Sequence, residues 1–236
     1  NTKVTTLDVS TLTELSALEA KKCTALTSLE LTDSNTFTDL DISDCTNITQ
    51  IDIGTCRALV NLNVSGTAII ALEANQSLYM ETVDASNCTS LEALVMDQTS
   101  NNNLISVDVS GCTNMMGLQI SNSNSLQELN LADLTSLSWA YIDNCTAITS
   151  IDISNTRMSD ISALNIPSLT NFKTLKASDA ALSDSELAGM LKDTLEVIDI
   201  SDNSSVTAID LSGFENLKTL DISNSGITGL DTSDCL

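Results

Sequence analysis

The chain has 236 residues, 42% of them hydrophobic but only 3% aromatic, so its core must be stacked aliphatic side chains rather than an aromatic-rich globule. Thirty-two acidic against nine basic residues leave a net charge of −23, which argues against nucleic acid and anionic membrane surfaces as partners, since Lys and Arg hold both. The chain has no histidine, which removes Ser-His, Cys-His and His-metal chemistry. No phosphate loop or dinucleotide fingerprint is present either, so no enzyme and no cofactor are expected.

From the N-terminus one pattern recurs about every eleven residues. It reads apolar-x-x-anchor-x-apolar-x-x, then Cys, Asn, Ser or Thr. The anchors begin Leu7, Leu18, Leu29, Leu40, Ile51, Leu62 and run on to Leu230. Apolar-x-apolar at each anchor, as in Leu40-Asp41-Ile42, is the period of a strand with one buried face, and the polar residues that follow form a turn. One unit is too short to close a coil. Two units match the roughly 20–29 residues of a leucine-rich-repeat coil.

Anchor spacing assigns one concave sheet to Leu18, Leu40, Leu62, Val83, Val107, Leu129, Ile151, Leu175, Ile198 and Leu220. The intervening units are expected to form short strands on the convex side. Ser183 and Glu186 make a capping-box pattern ahead of Leu187, Met190 and Leu191, which predicts one outer helix near 183–193. Two loops, near Ser100–Asn103 and around Asn165–Thr170 with the only proline, Pro167, are expected to protrude. The expected fold is thus a right-handed, mostly parallel β/α leucine-rich-repeat solenoid. It forms a single domain over 1–236 with about ten coils of 21–24 residues. The first residue is Asn1, already inside a repeat, and a piece of a longer exported protein is expected. No apolar run approaches the length of about eighteen residues that spans a bilayer.

Cys23, Cys45, Cys56, Cys88, Cys112, Cys145 and Cys235 all fall five residues after an anchor, where other units place Thr67, Ser77, Thr156, Asn203 or Ser225. A slot shared by these types calls for a small side chain, usually one able to hydrogen-bond at a turn. The count is odd and no CxxC occurs, so a structural ladder of thiols is expected rather than disulfides or zinc.

The half-repeats LDISDCTNITQIDI, VDASNCTSLEALVM and VDVSGCTNMMGLQI resemble bacterial leucine-rich repeats with LDVSxCTxL half-units. Such repeats are found in surface proteins of Bacteroidetes and are similar to those of the cysteine-containing internalins. The resemblance covers essentially the whole chain and is carried by scaffold positions. It implies an exported or surface-anchored domain that binds proteins or glycans.

The residue after each anchor of the concave sheet forms a column rich in carboxylates, among them Asp84 and Asp108, which are weak calcium candidates. Asp also recurs on the other face, at Asp8, Asp52 and Asp210, which favours a scaffold role. Departures from the pattern are better binding candidates. They are the basic spot Lys21 and Lys22, then Glu128 and Asn130 on one rung, and Lys176. On the convex side Trp139 and Tyr141 flank Ala140, opposite Gly117 and Gln119 of the preceding strand. The leading expectation is a non-catalytic module on the bacterial cell surface that binds a protein through its concave face and protruding loops. The alternatives are a carbohydrate-binding or adhesive module using Trp139 and Tyr141, and a passive spacer.

Overall fold

The computed structural model describes residues 3–31, 35–54, 56–75, 77–97, 103–158, 161–188 and 194–230. Anchors point inward and their neighbours outward, so each coil contributes a three-residue rung to a first column of parallel strands. These are β2 (Ala17–Glu19), β4 (Asp39–Asp41), β5 (Asn61–Asn63), β7 (Thr82–Asp84), β9 (Ser106–Asp108), β11 (Glu128–Asn130), β13 (Ser150–Asp152), β14 (Thr174–Lys176), β15 (Val197–Asp199) and β16 (Thr219–Asp221). Ten rungs make nine turns of a parallel-β, leucine-rich-repeat-like solenoid. The other half-units supply a second column: β1 (Thr6–Asp8), β3 (Ser28–Glu30), β6 (Ala71–Glu73), β8 (Ala93–Asp97), β10 (Gly117–Ser121) and β12 (Trp139–Asp143).

Between the columns lies one continuous aliphatic core. The residue three before each anchor fills the corner of its coil, as Leu26, Phe37, Ile48, Leu59, Met80, Leu104, Leu126 and Phe172 do, all fully or nearly fully buried. Burying a side chain of this size is worth about 1.5–3 kcal/mol, and successive coils repeat that gain.

Two positional rules recur along the first column, the first at every rung except those of Glu19 and Lys176. First, the Asp or Asn after an anchor accepts a hydrogen bond through Oδ1 from the backbone N–H two residues on, as in Asp41–Ser43, Asn63–Ser65, Asp84–Ser86, Asp108–Ser110, Asp152–Ser154 and Asp221–Ser223. The acidic column is therefore a series of Asx turns, each closed within its own rung. Second, the residue four after an anchor has positive φ: Lys22, Asp44, Gly66, Asn87, Gly111, Asp133, Asn155, Asp179, Asp202 and Asn224. That left-handed conformation favours Gly, Asn and Asp, and nine of these ten residues are of those types. Lys22 is the exception.

The next slot holds the ladder. Cys45, Cys88 and Cys112 each donate Sγ–H to a carbonyl of the preceding coil, those of Ala20, Val64 and Ala85, at 2.9–3.1 Å. Asn203 does the same to Ala177 at 2.7 Å, whereas Thr67 and Thr156 turn back to carbonyls of their own coils. Among the described residues the cysteines are free thiols. Burial pushes the Cys112 thiol up to about 12 and raises those of Cys45, Cys88 and Cys145. Cys235 lies outside the described residues.

Several expectations need correction. The second column has no strand at Ile51, Ile161 or Ile209. At the second of these, 3-10 turns at Ser162–Leu164 and Ile166–Ser168 take its place. The segment around Pro167 does not protrude, because Ile166 and Leu169 are buried in the stack. The helix is described over Asp184–Ala188, where Glu186 accepts hydrogen bonds from the N–H and hydroxyl of Ser183; 189–193 lie outside the described residues, as do 100–102 of the other expected loop. Finally, the first column is not one sheet. It consists of two five-stranded sheets, β2-β4-β5-β7-β9 and β11-β13-β14-β15-β16.

Candidate recognition site

The break between β9 and β11 is defined by absent hydrogen bonds. At each of the other steps along the first column, the same three backbone bonds recur. The step from β7 to β9 makes them as Ala85 N–H to Asp108 O, Asn87 N–H to Ser110 O and Ile105 N–H to Glu81 O. From β11 to β13 they are Leu131 N–H to Asp152 O, Asp133 N–H to Ser154 O and Thr149 N–H to Gln127 O. Between β9 and β11 none forms, which leaves the N–H groups of Val109, Gly111 and Gln127 and the carbonyls of Ile105, Asn130 and Ala132 without their ladder partners.

The opened step is a cleft of about 600 Å³ lined by Ser106, Asp108, Gln127, Glu128 and Asn130, with Val107, Val109 and Leu134 beneath. Away from the end rungs, Val107 is the one half-buried anchor of the column, and Ile105 at the rim is 57% exposed. The structure thus brings together Glu128, Asn130 and Asp108, and exposes all three. No Lys or Arg lines the cleft. Sequence reasoning missed the break itself, because the anchors Val107, Leu118 and Leu129 keep an unbroken spacing of eleven.

The remaining candidates lie elsewhere. Lys21 pairs with Asp41 at 3.0 Å, and Lys22 occupies a turn. Burial pushes the Asp41 carboxyl up, but the hydroxyl and N–H of Ser43 together with Lys21 outweigh it and hold it below its ordinary value. Lys176 lies 3.8 Å from Asp152 on the adjacent rung. Beside it, Glu196 accepts from Lys218 at 2.5 Å and Lys173 at 2.9 Å, which holds its carboxyl down at about 2. Asp84 is half-buried in its own Asx turn. Among the described residues no group of three or more His, Cys, Asp or Glu is placed to hold a metal ion.

Trp139 and Tyr141 project from β12 on the second column, in register with Gly117 and Gln119 of β10 and, one strand further, Ala93 and Val95 of β8. Both rings are exposed, at 41% and 44%. Met116, immediately before β10, is exposed as well.

The described residues define a parallel-β, leucine-rich-repeat-like solenoid. No protein-family model and no curated protein matches the chain. Among solved structures, the functional domain of InlJ from Listeria monocytogenes, which includes a cysteine ladder, is 19% identical with a TM-score of 0.32; the match covers 95% of this chain and 66% of that one. The internalin InlF of the same organism is 18% identical, with a TM-score of 0.29 and coverage of 95% and 85%. A leucine-rich-repeat protein of Leptospira interrogans is 14% identical, with a TM-score of 0.35 and coverage of 91% and 77%. At these identities the likeness is one of coil architecture alone. Among the described residues no helix is long and apolar enough to cross a membrane.

Proposed function

We propose that this chain is a recognition module that binds a protein partner through the outward face of its first column, without catalysis. In this reading the solenoid is right-handed, the first column is concave, and the domain is displayed outside a bacterial cell by a longer protein of the cysteine-containing leucine-rich-repeat kind. The observation that carries the reading is the interrupted sheet between β9 and β11. There a face that is otherwise hydrogen-bonded end to end presents unpaired backbone groups beside Asp108, Glu128 and Asn130. A cationic partner suits a protein of net charge −23. The test immobilises the domain and challenges it with surface-protein extracts and a glycan panel, comparing the unaltered chain with Glu128→Lys. Salt-sensitive capture of a defined protein that the substitution abolishes supports the reading. Capture that the substitution leaves untouched moves the site elsewhere.

A second reading is favoured by the flat seating of Trp139 against β10 beside an exposed Tyr141. Aromatic faces of this kind stack on sugars. Salt-tolerant glycan binding lost in Trp139→Ala would select it, and a folded domain that captures nothing would leave the spacer role.

A further inference from the structure

We propose that Trp139 and a polar cleft beside it form one binding site for a neutral oligosaccharide. This rests on the glycan reading and deepens it, by naming the class of sugar and the polar groups that hold it. The cleft, of about 490 Å³, is lined by Glu92, Asn114, Met116, Thr135, Ser136 and Arg157. Two backbone bonds place it next to the indole. Met116 N–H donates to the carbonyl of Glu92 at 2.8 Å, and Trp139 N–H donates to the carbonyl of Met116 at 3.3 Å. Glu92, Met116 and Trp139 therefore follow one another up the stack, one coil apart. Met116 also directly precedes Gly117, over which the ring lies. Adjacent strands are about 4.8 Å apart, so a short chain of sugar rings spans from the indole into the cleft.

The lining selects the ligand. Glu92 only accepts hydrogen bonds, Arg157 only donates them, and Asn114 does both. All three are exposed, and among the described residues none of their side chains makes a hydrogen bond or ion pair. Neighbouring hydroxyls of a sugar match this mixture, since each hydroxyl both donates and accepts, and the apolar C–H face of the ring suits the exposed indole. An acidic saccharide would meet Glu92 and a net charge of −23. A cationic ligand would meet Arg157. A neutral, hydroxyl-rich ligand meets neither penalty.

Trp139 is the only tryptophan, so its emission reports on this site alone. The probes are neutral hexasaccharides of glucose, mannose, galactose and N-acetylglucosamine, with a hexagalacturonate as the acidic counterpart. The expected result is that at least one neutral probe shifts the emission and shields the indole from acrylamide, with little dependence on salt. Arg157→Ala and Glu92→Gln, both at exposed positions, should each weaken that binding by about tenfold, the loss of one hydrogen bond to a charged group. Trp139→Ala, followed by calorimetry, should abolish it. Tighter binding of the hexagalacturonate overturns the proposal, and so does silence of every neutral probe in both fluorescence and calorimetry. Binding that Trp139→Ala abolishes but Arg157→Ala and Glu92→Gln leave unchanged overturns the cleft and leaves the glycan reading standing. Binding that Trp139→Ala also leaves unchanged overturns both.

Discussion

The indole of Trp139 lies across Gly117, its partner in the β10–β12 register, so closely that a β-carbon at position 117 would sit 2.0 Å from Cζ2 of the ring. Glycine is required there because the ring occupies the space of the missing side chain. Gly117→Ala should lift the indole off the sheet and destabilise the fold by about 1–3 kcal/mol, the usual cost of overpacking. Urea unfolding gives the loss. Trp139 is the only tryptophan, so a red-shifted emission from the folded variant would report its displacement directly.

Asn203 should be the least replaceable member of the ladder. Its amide nitrogen lies within hydrogen-bond reach of the carbonyls of Ala177, Ile200 and Ser201, which share its two protons, and its Oδ1 accepts from the N–H groups of Ala180 and Leu182, all in a buried site. Asn203→Ala leaves several of these groups without partners, at about 3 kcal/mol or more. Cys112→Ser keeps a donor toward Ala85 in a slot that other coils fill with Ser or Thr, and should cost about 1 kcal/mol. Comparable losses in thermal or urea melts of the two variants would contradict this ranking.

The buried thiols make stability fall in alkali. The Cys112 thiol is raised from 9.0 to about 12 by burial, so between those values the unfolded chain ionises while the folded one does not. The unfolded state then binds fewer protons, and stability is full below pH 9.0 and declines as pH rises toward about 12. The same burial should keep Cys112 unlabelled by a thiol reagent near neutral pH until the chain is unfolded. Rapid labelling of the native protein at Cys112 would contradict the ladder.

On the acid side the sign reverses. Hydrogen bonds from Lys218 and Lys173 lower the Glu196 carboxyl from 4.5 to about 2, so its contribution is present above pH 4.5 and is lost as pH falls toward about 2. The cluster is solvent-facing, so salt should weaken it. Glu196→Gln should flatten the acid limb of the stability profile over that window and reduce its salt dependence; an unchanged limb would show that other carboxylates set it.

Lys22 has φ 58 at a position where other coils place Gly, Asn or Asp. Lys22→Gly should relieve the left-handed conformation and stabilise by about 1 kcal/mol, with Lys22→Val moving the melt the other way. Stabilisation without loss of partner capture would also remove Lys22 from the list of binding residues.

The parts legible in the sequence were those that each coil settles for itself. Anchor spacing placed the ten rungs of the first column, since a strand's inward and outward sides are written into adjacent residues such as Leu40 and Asp41. The alternation of Cys45, Thr67 and Asn203 identified one small slot. The left-handed position was also written there, in the run from Asp44 and Gly66 to Asn87, Asp133 and Asn155, and it explains why these polar residues recur without any ligand. What the spacing did not encode was how coils meet. Val107, Leu118 and Leu129 are evenly spaced, yet the ladder opens between the first and last of them. Pairing between coils depends on packing summed over whole turns, and on the opposite side β8, β10 and β12 pair over five residues rather than three. The same limit applies to Ile161, where the anchor is kept but Ser162–Leu164 forms a 3-10 turn.

The two columns are interrupted at different heights. Where the first opens between β9 and β11, the second is joined through β8, β10 and β12, and where the second lacks strands the first is closed. Load along the stack therefore passes from one ladder to the other and back, as through a lap joint. Among the described residues, the β8-β10-β12 sheet is the hydrogen-bonded ladder that carries the stack across the height of that gap.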